Sequence, residues 1–197
     1  MADWDKDSPR LRANLAKVLR EIRDSALRRD LPSIDSAREW QRSSMEGLDV
    51  PDPNYVGRYR GEKGIENVRV WIGTYEGAVP GKVAGQLKEF ENRLQRTLAA
   101  LDKLYPSGAP LDGDGLSAVI DLAAWAHAEW VRIHPFANGN GRTARMWANA
   151  IFMRYGLDPV VRIRPRPDGG YGAASAQAMH RDWKATAVVF RKMLLSP

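Results

Sequence analysis

The chain has no cysteine among its 197 residues, which excludes disulfide bonds and metal sites built from thiolates. It also has no run of eighteen apolar residues, and its first ten residues, MADWDKDSPR, contain no apolar signal core. We therefore expect a cytoplasmic protein without membrane contact, although an effector exported by a specialised system would have the same features. Apolar residues make up 44% of the chain, enough to build the core of a single domain.

Acidic residues are the minority charge, with 24 Asp and Glu against 30 Lys and Arg, a net charge of +6. Such an excess can indicate a nucleic-acid partner. The arginines, however, are scattered over predicted helices, and the chain has no nucleic-acid-binding motif. We therefore expect mostly solvated helix faces, with a phosphate-binding pocket accounting for part of the excess.

Apolar residues recur at helical spacing through most of the chain, and capping residues mark where several helices begin. Ser8 and Pro9 predict the start of the first helix, and Ser33 caps a second that runs to about Glu46. Further helices are predicted over 80–104, 116–133, 141–155, 171–180 and 182–195. The alternation in VRVWIG, residues 68–73, makes this segment the best strand candidate in the chain. The fold class is therefore all-α: seven or eight helices around a central buried pair, with one small β-hairpin.

The segment HPFANGNGRTAR, residues 134–145, combines groups that bind phosphate and move protons. A glycine-rich turn that enters a helix exposes main-chain N–H groups and the positive end of the helix dipole, which together bind anions. Arg142 and Arg145 share one helix face and can hold consecutive phosphates. A neutral His134 at the edge of such a pocket could accept a proton from an attacking hydroxyl.

This segment resembles the signature of the Fic family, H-P-F-x-[D/E]-G-N-G-R-x-x-R, at eleven of twelve positions when the three free ones are counted. WAHAEWVRI before it is similar to the family's core helix. GRYR at 57–60, followed by VRVWIG, resembles the flap region. The resemblance covers about residues 35–195 and implies an N-terminal helical extension over 1–34 and a Fic catalytic domain over 35–197.

The resemblance implies protein adenylyltransferase activity, with ATP as the nucleotide and Mg²⁺ bridging its phosphates. It implies that His134 is the general base, that Phe136 anchors the loop and that Arg142 stabilises the leaving pyrophosphate. The residues expected to bind the nucleotide are Asn138, Gly139, Asn140, Gly141, Arg142, Arg145 and, near the nucleoside, Tyr171. Tyr171 could equally be a packed aromatic residue.

Asn138 departs from the signature, because the family has a carboxylate there that binds Mg²⁺. An amide oxygen can still coordinate a hard cation but brings no charge, so Asn138 is a weak metal candidate. Three interpretations stay open: Mg²⁺ held chiefly by ATP, a different nucleotide or orientation, or a degenerate domain that turns over poorly.

The resemblance also implies that the hairpin docks an extended segment of the target protein by strand addition. An ordinary edge hairpin is the alternative. The residues expected to form this target-docking flap are Val70, Trp71, Ile72, Gly73 and Thr74.

The inhibitory motif that restrains many relatives, [S/T]-x-x-x-E-[G/N], is not present; RSSMEG at 42–47 is the nearest approach. We therefore expect restraint by a small separate antitoxin-like protein or by other means, as in a toxin or effector. The rival functions are phosphate transfer, as in the related death-on-curing toxins, and a nucleotide- or protein-binding module without turnover. The related toxins have Lys where this chain has Gly141, which favours nucleotidyl transfer.

Overall fold

The computed structural model describes residues 7–195, and within that range it has seven α-helices and one β-hairpin. The helices are α1 (Pro9–Leu27), α2 (Ile34–Ser44), α3 (Pro80–Leu104), α4 (Gly113–Ile133), α5 (Asn140–Arg154), α6 (Tyr171–Ala178) and α7 (Lys184–Leu195), with a 3₁₀ turn at Pro53–Tyr55. The all-α prediction is confirmed. None of these helices combines the length and apolar character needed to cross a bilayer.

Side-chain caps start the first two helices where the sequence predicts them. The Ser8 hydroxyl accepts a hydrogen bond from the Leu11 N–H at 3.1 Å, and Ser33 forms a capping box with Ser36. α2 is two residues shorter than predicted, because it ends at Ser44 with Met45 as its C-cap. α7 begins at Lys184 rather than directly after Asp182, whose carboxylate accepts the Lys184 N–H at 2.9 Å.

The core centres on α4 and α5, the predicted buried pair. Their tryptophans Trp130 and Trp147 are fully buried with ring centroids 5.5 Å apart, and Phe90 of α3 packs against both. The Trp130 indole N–H also donates to the Thr143 hydroxyl at 3.0 Å, whereas the buried Trp147 indole N–H has no hydrogen-bond partner among the described residues. This packing fixes the end of α4 relative to the start of α5.

α1 packs against α2 and α5. Its apolar stripe joins the same core as the later helices: Leu11, Leu15, Val18, Ile22 and Ala26. The division into an extension and a catalytic domain at residues 34 and 35 stays a prediction.

The hairpin is shorter than predicted. Its strands are β1 (Trp71–Ile72) and β2 (Tyr75–Glu76), paired antiparallel, so the strand predicted over 68–73 was too long. The Val68 carbonyl is taken by an arginine side chain instead of a strand partner. Gly73 adopts φ +60° in the turn between the two strands.

Candidate active site

A cavity of about 480 Å³ lies between the hairpin, the end of α4, the start of α5 and the segment that leads into α6. Its volume is within the range of small-molecule sites. It brings together residues from 69 to 175, including most of those predicted from the sequence. The lining residues are Arg69, Val70, Trp71, Ile72, Val131, His134, Ala137, Asn138, Gly139, Asn140, Gly141, Arg142, Arg145, Arg164, Arg166, Tyr171 and Ser175.

His134 ends α4 in the left-handed conformation, with φ +52° and ψ +57°, and its main-chain N–H still bonds to the Trp130 carbonyl. Its Nδ1 lies 3.0 Å from the Val131 carbonyl oxygen. A carbonyl can only accept, so Nδ1 carries the proton and donates it. The neutral ring therefore keeps Nε2 as a proton acceptor.

Burial lowers the pKa of His134 to about 4, and the nearby Arg60 charge acts in the same direction, against the Val131 hydrogen bond. The imidazole is therefore neutral at pH 7. A neutral imidazole with its acceptor nitrogen at a cavity wall is the form that general base catalysis requires.

The loop between α4 and α5 is held by Phe136 and Asn140. The Phe136 ring is fully buried and stacks on Tyr59, with centroids 4.7 Å apart. The Asn140 amide accepts the Phe136 N–H and donates to the Phe136 carbonyl, both at 2.8 Å. Because its side chain is used in this way, any contact of Asn140 with an anion must come from its main chain.

The start of α5 has the shape of an anion site. Gly139 caps it at φ +89°, where an added Cβ would also lie 3.2 Å from the Met45 methyl group. A Cβ on Gly141 would lie 3.4 Å from Arg145 Nη1, so this glycine lets the guanidinium approach the first turn. First-turn N–H groups have no intrahelical acceptor and bear partial positive charge, which favours a phosphate here.

Arg142 and Arg145 are both buried, and both reach the cavity. Arg145 donates to the Ile163 carbonyl at 3.0 Å and to the Tyr171 hydroxyl at 3.2 Å. The Tyr171 hydroxyl lies 2.5 Å from Nε2 of the buried His127, whose pKa burial lowers to about 3. Tyr171 is thus a packed aromatic that also forms cavity wall, and its contact with a nucleoside stays a prediction.

Asn138 does not present a free metal ligand. Its side-chain oxygen accepts the Gly139 N–H and lies 3.4 Å from Arg142 Nη2. None of the described residues that line the cavity is Asp or Glu, and no group of three metal-binding side chains occurs within residues 7–195. Mg²⁺ needs oxygen ligands, usually including a carboxylate, so these residues do not fit a protein-held Mg²⁺.

Arg60 is a positioning residue whose role could not be predicted from the sequence. It is 1% exposed, and its guanidinium donates to four main-chain carbonyls. The acceptors are His134 at 2.8 Å, Val68 at 3.1 Å, Ala78 at 2.7 Å and Ile133 at 3.1 Å. Two belong to the end of α4, whose negative dipole end stabilises the charge. Arg60 therefore joins the base of the hairpin to the residue that carries the acceptor nitrogen.

The hairpin places β1 beside the cavity. Val70, Trp71 and Ile72 line it, whereas Gly73 and Thr74 form the turn and do not. An Arg69–Glu76 ion pair at 2.5 Å crosses the hairpin. The Tyr75 hydroxyl lies 3.1 Å from His180 Nε2 beyond α6, so the hairpin is held at both its base and its side.

The chain is similar to known proteins in sequence and in fold. Protein adenylyltransferase fic-1 of Caenorhabditis elegans is 32% identical over 130 residues, which are 66% of this chain and 21% of the relative. The solved structure of Fic-1 (aa134–508) from C. elegans matches with a TM-score of 0.67 at 28% identity, over 96% of this chain and 50% of that one.

A further solved structure shows likeness of fold alone, at 17% identity. It is the BepC protein of Bartonella tribocorum, a VirB-translocated effector solved with bound AMPPNP, with a TM-score of 0.63 over 98% of this chain and 90% of that one. The chain spans about a fifth of the length of the curated nematode relative. A model of the Fic/DOC family matches residues 33–152, which are more than half of the sequence. The match includes all of α4, His134 and the loop that leads into α5. The chain therefore belongs to the Fic/DOC family.

Proposed function

We propose that the chain transfers AMP from ATP to a Ser, Thr or Tyr hydroxyl of a target protein and releases pyrophosphate. The observation that carries the proposal is the neutral His134, whose acceptor nitrogen is set by the Val131 hydrogen bond beside the anion site of α5. The adenylyltransferase name of the nematode relative and the AMPPNP bound to BepC support ATP as the nucleotide.

Each group of the site has one role in this reaction. The target hydroxyl oxygen attacks the α-phosphorus, and its proton moves to His134 Nε2. The bond from the α-phosphorus to the oxygen bridging to the β-phosphate breaks, and pyrophosphate leaves with that electron pair. Arg142, Arg145 and the first-turn N–H groups of α5 stabilise the negative charge that builds up. No step is assigned to Mg²⁺, since the residues present do not fit a metal ion held by the protein.

A second candidate is a Fic-fold module that binds nucleotide with little turnover. The specific observation in its favour is Asn138, which occupies the position of the family's carboxylate and is neutral. Phosphate transfer has less support, because Gly141 keeps the first turn open where the related toxins have Lys.

Incubation with ATP labelled at either the α- or the γ-phosphate, in a cell lysate, separates these functions. AMP transfer puts α-label onto protein that is missing in a parallel reaction with His134→Ala, and it adds no γ-label beyond that reaction. Label from the γ-phosphate alone that is missing with His134→Ala would establish phosphate transfer. ATP binding without protein label from either position would support the second candidate, a module that binds nucleotide with little turnover.

The rate of AMP transfer should depend little on pH near neutrality. The pKa of His134 is lowered to about 4, so its neutral form is fully present above that pH and is lost only as pH falls through it. We expect a flat kcat/KM from about pH 6 to pH 8 and a decline below about pH 5. A profile that rises through about pH 6.5, the ordinary histidine value, would show that His134 is solvated and not the buried base described here.

Trp71 should dock the target through its main chain. The Gly77 N–H bonds to the Val70 carbonyl, so Val70 is in a hydrogen-bonded pair and the next pair, Trp71 with Glu76, is not. The N–H and carbonyl of Trp71 therefore point away from β2, along the edge of β1 that borders the cavity. Because 58% of its side chain is exposed, substitution there does not disturb the core.

Trp71→Pro removes this N–H, and we expect protein labelling to fall about tenfold with ATP affinity unchanged. Trp71→Ala, the matched control, keeps the main chain and should stay within about threefold of the wild type. Equal losses in the two variants would mean that the indole, and not the strand edge, binds the target.

The proposal extends to restraint by a separate small antitoxin-like protein and to a role as toxin or effector. In the described residues the bonds of Arg145 go to Ile163 and Tyr171, and no glutamate lines the cavity beside it. Expression in growing cells tests this role: wild type should arrest growth and His134→Asn should not. Equal growth of both strains would argue against a toxin.

A further inference from the structure

The cavity has an unusual balance of charge. Five arginines line it, and none of its described lining residues is acidic. Arg69 pairs with Glu76 on the hairpin, and Arg164 Nε lies 4.0 Å from the carboxylate of Asp7, which is outside the cavity. Besides Arg69, four arginines line the cavity together with the start of α5: Arg142, Arg145, Arg164 and Arg166. A nucleotide tail in this cavity would therefore meet several guanidinium groups before it met any metal.

Two of these arginines come from outside the signature. Arg164 and Arg166 lie in the Pro-rich segment between α5 and α6, opposite the first turn of α5. Arg166 stacks against the Tyr171 ring, 5.6 Å from its centroid, and Gly172 leaves room for it, because a Cβ there would lie 3.0 Å from Arg166 Nη2. The guanidinium of Arg145, on α5, also lies over the Tyr171 ring, 5.7 Å from its centroid. Tyr171 thus holds one arginine from each wall.

Asn138, the position at which a metal ligand is expected, does not offer its side-chain oxygen to a cation. The Asn138 oxygen faces two N–H donors, from Gly139 and Arg142. Donors that point at an oxygen repel a cation there, and the oxygen has no net charge to offset this. Guanidinium groups provide a different solution, since they bind phosphate oxygens through paired, charge-assisted hydrogen bonds.

We propose that this site binds the triphosphate tail with arginines in place of a protein-held metal, with Arg164 and Arg166 as a second cationic wall. The inference rests on the proposed function for its ligand, a nucleoside triphosphate. It concerns binding alone, so it is measured without any transfer reaction. Two consequences follow: nucleotide affinity is independent of divalent metal, and it depends on charges outside the signature.

Titration calorimetry of the full chain with ATP, in Mg²⁺ and in EDTA, tests the first consequence. Wild-type Kd values should agree within about threefold. Asn138→Asp restores the family's carboxylate, and we expect its Kd to be about tenfold lower in Mg²⁺ than in EDTA, because the bound metal then bridges protein and phosphate. A wild-type protein that loses tenfold or more of its affinity in EDTA would overturn the proposal.

The double variant Arg164→Gln, Arg166→Gln tests the second consequence, with inorganic triphosphate and ATP as probes. Both Kd values should rise about 10- to 100-fold, since the double variant loses two guanidinium groups that make charge-assisted contacts with phosphate oxygens. Arg20→Gln removes one charge from an exposed site on α1 and should bind both probes like the wild type. Circular dichroism confirms that the variants are folded.

Unchanged triphosphate affinity in the double variant, or an equal loss in Arg20→Gln, would contradict the second wall. The two proposals fail separately. Metal-dependent ATP binding together with AMP transfer would overturn the inference and leave the proposed function intact. Metal-independent ATP binding without AMP transfer would support the inference and overturn the proposed function.

Discussion

His134→Asn is expected to lower AMP transfer about 10²- to 10⁴-fold, the usual contribution of a general base, while leaving ATP affinity unchanged. The asparagine is chosen for the backbone, because His134 adopts φ +52° and asparagine tolerates the left-handed region better than most residues. Its amide can also donate to the Val131 carbonyl, as Nδ1 does in the wild type. The variant therefore removes the proton acceptor without unfolding the end of α4.

Two measurements check this expectation: the rate of α-label incorporation and ATP titration of the same preparation. His134→Ala, which also loses the Val131 contact, should show a similar rate and a lower melting temperature. Transfer within about tenfold of wild type in the asparagine variant would mean that another group takes the proton.

Arg60→Met is expected to lower the free energy of unfolding by at least about 3 kcal/mol. The methionine keeps part of the apolar stem, but the carbonyls of Val68, Ala78, Ile133 and His134 lose a buried donor. Each buried acceptor left without a partner costs about 1–3 kcal/mol, reduced where water can enter. The end of α4 and the base of the hairpin should therefore loosen together.

Urea unfolding measures this effect, with Arg58→Met as the matched control in the same GRYR segment. Arg58 is exposed and bonds only to the Lys63 carbonyl among the contacts described, so its loss should cost less than about 0.5 kcal/mol. Arg60→Lys, if folded, should lower kcat more than ATP affinity, because Arg60 holds His134 but does not line the cavity. Equal free energies of unfolding for Arg60→Met and Arg58→Met would contradict the positioning role of Arg60.

Much of the fold was predictable because its signals are local. Helical periodicity and the caps at Ser8 and Ser33 depend on residues a few positions apart, and the structure confirms them. The strand over 68–73 was predicted too long for a non-local reason. Alternation shows that a segment can be extended, but Arg60 takes the Val68 carbonyl from another part of the chain.

The site was predictable to the extent that it lies in one continuous segment. His134, Gly139, Gly141, Arg142 and Arg145 do line one cavity. The tautomer of His134 could not be predicted, since it depends on a hydrogen bond to the main-chain oxygen of Val131. The hydrogen bonds of the Asn140 side chain to the main chain of Phe136 could not be predicted either. Three further arginines were missed, because nothing in RYR or RIRPRP tells a buried or cavity-facing arginine from a solvated one: Arg60, Arg164 and Arg166.

The most direct test of AMP transfer is the chemical identity of the modification on the target. Proteins labelled by the wild type from α-labelled ATP are digested and their peptides sequenced by tandem mass spectrometry, beside a His134→Asn reaction. The proposed function predicts AMP on the oxygen of a Ser, Thr or Tyr side chain, present with the wild type and missing with the variant. Phosphate on those residues, or AMP at equal levels with both proteins, would contradict it.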